Sequence, residues 1–265
     1  MTQSSQLHKS EPHTLVAHVK SGRYSIGSNN IPNASPQHLR DLRSYWIDRV
    51  PVSFGHYERF VAGGGYDDKS LWRDISESPL IVSIDQRCDE LLEQSLLAAG
   101  LFREKPTRSV DIPLVGVSWG EAAAIARFAG GRLPFESEWE IAMQRSSRVS
   151  TEAHPNNFSG TSRCWQHAPR SDWGCVIATN VLQEWTADAF SPVYWRSEGD
   201  RHGLVWTPGQ VYGVSLRGSC NTDMHKDYRF RRAVDPNDIH SARGFRRVWD
   251  TEPSPVQFSS HFVLH

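Results

Sequence analysis

Near the C-terminal end of the chain, the stretch TDMHKD sets Asp223, His225 and Asp227 at alternate positions over five residues. In an extended strand all three would point to one face, because successive side chains alternate sides. One imidazole and two carboxylates come close to the two-His, one-carboxylate set that holds Fe(II) in non-haem oxygenases. The second imidazole would have to come from elsewhere, with His202 and His240 as candidates. The plainer reading is an exposed polar loop, since D-x-H-x-D patterns are common. A second cluster, Arg229, Arg231, Arg232, Arg246 and Arg247, could clamp a carboxylate or phosphate through two parallel hydrogen bonds. The same guanidiniums could instead pair with Glu184, Glu136 or Glu138 and hold loops short of regular hydrogen bonds, the reading preferred for Arg229 and Arg246. Trp185, Trp195 and Trp206, with Tyr194 and Tyr212, would line a concavity suited to a small molecule, although core packing accounts equally well for any one of them. No nucleophile stands out: Ser118 and Ser219 lie in structural stretches, and neither sits in a G-x-S-x-G elbow.

The elements that must position these groups can be read from periodicity. Ser118 with Glu121 forms a capping-box pattern, and Trp119, Ala122, Ala123, Ala126 and Ala129 follow at helical spacing up to Gly130-Gly131. A second helix after Arg132-Leu133-Pro134 carries Trp139, Ala142 and Met143 on one side. This helix pair should be the hub of the fold, packed on the terminal strands. Upstream, residues 14–28 alternate as a strand, and 29–37 is a loop rich in Asn and Pro. Tyr45 to Val52 reads as a strand, Ser53 as the N-cap of a helix bearing Tyr57, Phe60 and Val61, and Gly63 to Gly65 as its stop. CDELLEQSLLAAGLF predicts an amphipathic helix with Leu91, Leu92, Leu96 and Leu97 as its stripe. That helix would roof a pocket, make a subunit contact or lie plainly on the surface. Residues 145–172 have the texture of a long loop.

At 265 residues, with 38% hydrophobic and 11% aromatic content, the chain can bury one well-packed core. A net charge of −1 gives no electrostatic case for nucleic acid or an anionic membrane surface. No run approaches the roughly 18 apolar residues of a membrane helix, and the polar N-terminus lacks the apolar core of a secretory signal. The four cysteines show no metal-site spacing. They are expected as reduced thiols of a cytoplasmic protein, with a Cys164–Cys175 disulfide as the alternative.

The stretch VSWGEAAAIARFAGGRLPFESEWEIAMQ resembles the signature of the formylglycine-generating enzyme, or sulfatase-modifying factor, family, which includes the C-terminal domain of hercynine oxygenases. Phe135 stands where that family has a capping Thr, a departure expected to weaken the second helix's cap. SGRYSIGS, the Tyr45–Tyr66 stretch, GCVIATNVLQEWTADAF and the Ser215–Val248 stretch follow the family's order, so the likeness runs from about Ser21 to Val248. It implies an α+β fold, a single C-type-lectin-like domain over residues 14–250, with a tail at 1–13 and an extension at 251–265. It also implies where metals would sit. The family's calcium site uses side chains that here become Ile177 and Val181, so calcium is not expected and Glu184 should make structural hydrogen bonds. The two copper(I) thiols, three and eight residues after Ser219, are replaced by Thr222 and Asp227, and the neighbouring Cys220 stands where the family has Trp or Tyr. Copper(I) and sulfatase activation are therefore not expected. The expectation is an oxygen-using oxidoreductase acting on a small molecule in a specialised-metabolite pathway. Its site would be the 219–231 loop, with His225 and Asp227 catalytic, Trp185, Ser219, Arg229 and Arg231 binding substrate, and Asp223, His225 and Asp227 holding Fe(II). The alternative is a non-catalytic, lectin-like domain that binds a protein or small ligand.

Overall fold

Local signals account for the two helices at the centre of the molecule. In this computed structural model, which describes residues 16–31, 33–73, 75, 83–98, 112–146, 168–178, 182–193, 213–218 and 227–254, the hub helix spans Trp119–Phe128. Ser118 Oγ accepts from the Glu121 amide at 3.2 Å, and the Glu121 carboxylate accepts from the Ser118 amide at 2.9 Å, closing the capping box. Ala122, Ala123, Ala124 and Ala126 are all buried, which lets neighbouring backbone come close. The following helix, Glu136–Ala142, starts at Phe135, which has no side-chain acceptor to offer. Its first turn is capped in two other ways. Glu138 accepts from the Phe135 amide at 2.8 Å, and Asp188, from a distant strand, accepts from the Glu136 amide at 2.6 Å. The missing Thr hydroxyl is thus made good by a carboxylate far along the chain.

In chain order the elements are β1 (Val16–Val19), β2 (Gly22–Ile26), β3 (His38–Leu42), β4 (Tyr45–Asp48), α1 (Phe54–Ala62), a 3-10 turn (Lys69–Trp72), α2 (Ile84–Ala98), α3 (Trp119–Phe128), α4 (Glu136–Ala142), β5 (Gln183–Ala189), β6 (Val214–Arg217), β7 (Arg231–Val234), β8 (Arg243–Phe245) and β9 (Val248–Trp249). They form three small sheets, ordered β1-β4-β9, β2-β3 and β7-β6-β5-β8. All pairs are antiparallel except β5 with β8. The strand expected over 14–28 divides at Lys20-Ser21, and its halves join different sheets.

One core cluster packs α1, α3 and Leu91 of α2 against β5, β6 and β8; a second packs α4 against β1, β2 and β4. The hub does meet the terminal strands: Arg132, between α3 and α4, bridges to Val248 of β9. On α2 the expected stripe needs correction. Leu91 is buried and Leu92 and Leu96 pack against the core, but Leu97 is 38% exposed. Ser95 takes the inner position and its hydroxyl accepts from the Val115 amide at 3.3 Å, a polar residue retained because the facing amide needs a partner. Among the described residues no helix is long and apolar enough to cross a membrane. Cys88 and Cys175 are free thiols; Cys164, the other half of the disulfide considered, lies outside the described residues.

Candidate functional site

The ends of β6 and β7 frame the stretch in which the sequence places its chemistry. Arg217 closes β6 and Arg231 opens β7, and the two are paired in register. Each reaches a glutamate of α4 one helical turn apart: Arg217 pairs with Glu140, and Arg231 with Glu136, its second terminal nitrogen donating at 2.8 Å. The four side chains are 0–3% exposed. Desolvating charges is costly, and such pairs persist only where the remaining donors and acceptors are also met. Here Glu140 accepts from the Gly27 amide at 2.7 Å, and Arg231 donates to the Asn33 carbonyl at 2.7 Å. The two pairs therefore tie β6, β7, α4 and the β2–β3 region into one platform.

On the edge of this platform lies Asp227. The Arg229 amide and Nε reach one oxygen at 2.9 and 2.8 Å, and a terminal nitrogen of Arg229 reaches the other at 2.7 Å. Burial disfavours the Asp227 charge, but the Arg229 hydrogen bonds and charge outweigh it, so the carboxyl is held below its ordinary range. Next to it, burial and the negative charge of Glu140 push the Tyr228 phenol up to about 12. The remaining residues of the expected metal set, Asp223 and His225, lie outside the described residues, as do Ser219, His202 and the aromatic residues expected between 194 and 212. His240 is exposed and its Nδ1 accepts from the Ala242 amide at 3.1 Å. Among the described residues no group of three or more His, Cys, Asp or Glu side chains is arranged to hold a metal.

Several arginines and aromatics have structural partners. Trp185, expected as a wall, is 0% exposed, with its indole N–H donating to the Val117 carbonyl at 3.0 Å. Arg231 is engaged by Glu136 as described. Arg246 donates to Glu184 at 2.8 Å, and Trp139 Nε1 reaches the same carboxylate at 2.8 Å; Glu184 thus makes the structural bonds expected of it. Arg247 binds Asp48 at 2.8 Å, a partner the sequence did not suggest.

One serine–histidine contact went unnoticed in the sequence. Ser53 Oγ lies 2.8 Å from His56 Nδ1. The other ring nitrogen, Nε2, faces a terminal nitrogen of Arg247 at 3.1 Å, which can only donate. Nδ1 also receives the Ser53 amide at 3.4 Å, the reciprocal contact of a capping box at the start of α1. Burial, then Arg247 and Arg59, hold His56 well below its usual pKa, as a neutral ring. The pair forms the cap of α1.

A second feature missed from sequence is a small polar recess beside the platform, lined by Glu136, Ser137, Asp188, Ser191, Arg231 and Arg40, among others. Asp188 is buried at the end of β5. Burial, and then the charge of Glu136, raise its pKa well above the ordinary value, against the opposing effects of the Glu136 amide and Arg231. The signal available in the sequence was the absent cap at Phe135, which required an acceptor from elsewhere.

Residues 2–251 match the sulfatase-modifying factor enzyme 1-like domain. The chain belongs to that family. The chain aligns at 27% identity over 251 residues with the serine/threonine-protein kinase Pkn1 of Chlamydia trachomatis, covering 90% of this chain and 39% of the kinase. The chain therefore spans about two fifths of that relative. The formylglycine-generating enzyme of Streptomyces coelicolor is 30% identical over 262 residues, covering 82% of both. Hercynine oxygenase of Mycobacterium tuberculosis is 33% identical over 117 residues, 43% of this chain and 26% of that enzyme. Among solved structures, PvdO from Pseudomonas aeruginosa superposes with a TM-score of 0.55 at 15% identity, covering 88% of this chain and 93% of its own. The fold is a single C-type-lectin-like domain of the formylglycine-generating type.

Proposed function

We propose that the protein is an oxygen-using oxidoreductase acting on a small molecule in a specialised-metabolite pathway, with its reactive loop between β6 and β7, and that it does not activate sulfatases. The observation that carries this reading is Asp227. An ionised carboxylate stands where the family resemblance puts the second copper thiol, and hard oxygen donors do not suit copper(I). Iron(II) suits the replacement better. A carboxylate offers about four lone-pair sites, and Asp227 spends three on Arg229, which leaves one for a metal. Asp223 and His225 would complete the set, and iron so held would supply activation of dioxygen. The protein's own part is to keep Asp227 charged through Arg229 and to fix both ends of the loop through Arg217 and Arg231. Relatedness to a formylglycine-generating enzyme and a hercynine oxygenase supports the oxidative class.

A non-catalytic binding domain is the second reading. It is favoured by the pairing of Glu136, Glu138, Glu140 and Glu184 with arginines, which ties up acidic groups near the loop. Metal analysis of protein purified without chelators separates the two. Near-stoichiometric iron, lost in His225→Ala, together with substrate-dependent oxygen consumption, is the expected result. Tight stoichiometric copper(I) in a competition titration would overturn the assignment, and absence of both metal and oxygen uptake would favour the binding domain.

A further inference from the structure

Away from the platform, four side chains from α1, α2, α3 and the turn after α1 form a single file of hydrogen bonds. Glu121 of α3, 1% exposed, is held by Arg87 of α2 at 2.6 and 3.0 Å and accepts from the Tyr66 phenol at 3.0 Å. Tyr66 meets the Tyr57 phenol of α1 at 3.1 Å, and Tyr57 meets the Cys88 thiol of α2 at 3.9 Å. The order of protons follows from the group at the end. A carboxylate paired with a guanidinium can only accept, so the Tyr66 proton lies toward Glu121, and each hydroxyl has one proton to give. Tyr57 therefore donates to Tyr66, and Cys88 donates to Tyr57. Three donors point the same way, from a half-buried thiol to a buried carboxylate.

Such a file suits the movement of hydrogen atoms better than acid–base work. Burial, then the charge of Glu121, raises the Tyr66 pKa, and burial raises that of Tyr57, so both phenols stay protonated. Burial also raises the Cys88 pKa, against the Tyr57 contact and with Asp85, Asp89 and Glu58 adding to it, so the sulfur keeps its hydrogen. A phenol gives up an electron readily where its proton has a place to go. Here Glu121 already holds the receiving end of that bond. Trp72 stacks on Tyr66 with ring centroids 5.6 Å apart, setting a second electron-rich ring against the same phenol.

We propose that Tyr66, Tyr57 and Cys88 form a radical relay that carries a one-electron oxidation from the aromatic core to the thiol at the surface. The oxidant is a one-electron acceptor of the oxyl-radical class, such as carbonate or peroxyl radical. It takes an electron from Tyr66 as the Tyr66 proton passes to Glu121. The resulting phenoxyl takes a hydrogen atom from Tyr57, and Tyr57 takes one from Cys88. The net change leaves Cys88 as a thiyl radical, Glu121 with the proton and the oxidant with the electron. A small external thiol restores Cys88 by giving up its own hydrogen atom, and Glu121 then releases its proton. Because the oxidant comes from outside, the relay does not depend on the oxidoreductase reading.

The test is flash photolysis of the full chain with tris(bipyridine)ruthenium and persulfate as the oxidant, in the presence of a nitrone spin trap whose adducts are located by peptide mapping. A phenoxyl absorbance that decays as adduct forms at Cys88 is expected. Tyr57→Phe keeps the ring and breaks the file, so the adduct at Cys88 should fall by about tenfold or more. Cys88→Ser should prolong the phenoxyl. If circular dichroism shows that Tyr57→Phe fails to fold, Tyr66→Phe carries the test and should lower the Cys88 adduct to a similar degree. An adduct unchanged in the folded phenylalanine variants would show that the thiol is oxidised directly and would overturn the relay. Absence of any adduct at Cys88, or a phenoxyl lifetime unaltered in Cys88→Ser, would overturn it as well.

Discussion

Trp139 joins the packing of α4 to the charge network beneath it, and its removal should be felt in both. The side chain is 1% exposed, and its indole N–H donates to Glu184 at 2.8 Å. Truncation to alanine deletes a buried aromatic at a cost of about 3–5 kcal/mol. It also removes one donor from a buried carboxylate, worth about 1.5–3 kcal/mol for a bond to a charged group. Because Arg246 continues to hold Glu184, the second term falls at the low end, and the total should be about 4.5–6.5 kcal/mol. Against a typical domain stability of about 5–15 kcal/mol, Trp139→Ala should leave the protein largely unfolded at moderate denaturant. Trp139→Phe keeps one six-membered aromatic ring in the core and loses the N–H with the rest of the indole, so it should cost about 2–3 kcal/mol, well short of the alanine variant. Urea unfolding of the three proteins, followed by far-UV circular dichroism, separates the terms. A loss below about 1 kcal/mol for alanine would refute the placement of Trp139 at the junction of α4 and β5. Equal losses for the two variants would refute the claim that packing dominates.

Arg246→Met leaves Glu184 buried without its main partner and should cost about 3–5 kcal/mol in the same assay, since an uncompensated buried charge is the expensive outcome. The pH dependence of Asp188 has a defined sign. Its folded pKa is raised, so over the window from the ordinary carboxyl value up to the folded value the native state holds a proton that the unfolded chain has released. Its contribution is intact below that window and is lost as pH rises through it. Asp188→Asn cannot ionise, so unfolding midpoints should shift in the variant's favour as pH rises above the ordinary carboxyl range; parallel profiles would count against the raised pKa.

Much of the hub was legible because its signals are local. Ser118 and Glu121 sit one turn apart, and the alanine face and Gly130 follow directly. The acid–base matching was legible only as sets. Arg246 with Glu184 and Arg231 with Glu136 fall within the pairs considered, but Arg229 takes Asp227, two residues away, and Arg217 takes Glu140, which periodicity gave no reason to single out. Asp188 and the first turn of α4 are separated by 52 residues, and no spacing rule connects a strand-end carboxylate to a helix start so remote. Leu97 was misplaced on α2 because a hydrophobic stripe cannot reveal that a buried amide, at Val115, will prefer Ser95 over a leucine. Nor does spacing reveal that Arg247 packs on the far side of the histidine beside Ser53.

The contrast between Arg231 and Arg229 explains how such a fold changes chemistry without changing shape. Arg217 and Arg231 bracket the β6–β7 loop, and both are anchored on α4 by pairs with almost no exposure. Breaking one such pair costs about 3–5 kcal/mol, so these positions are locked. Asp227 and Arg229 form a local pair with 27% and 34% exposure, the kind whose loss costs about 0–1 kcal/mol. A thiolate, carboxylate or imidazole can therefore be exchanged inside the loop while the buried charges that define the platform stay in place. The buried pairs of Arg217 and Arg231 hold the platform, and the half-exposed pair of Asp227 and Arg229 lies outside that constraint.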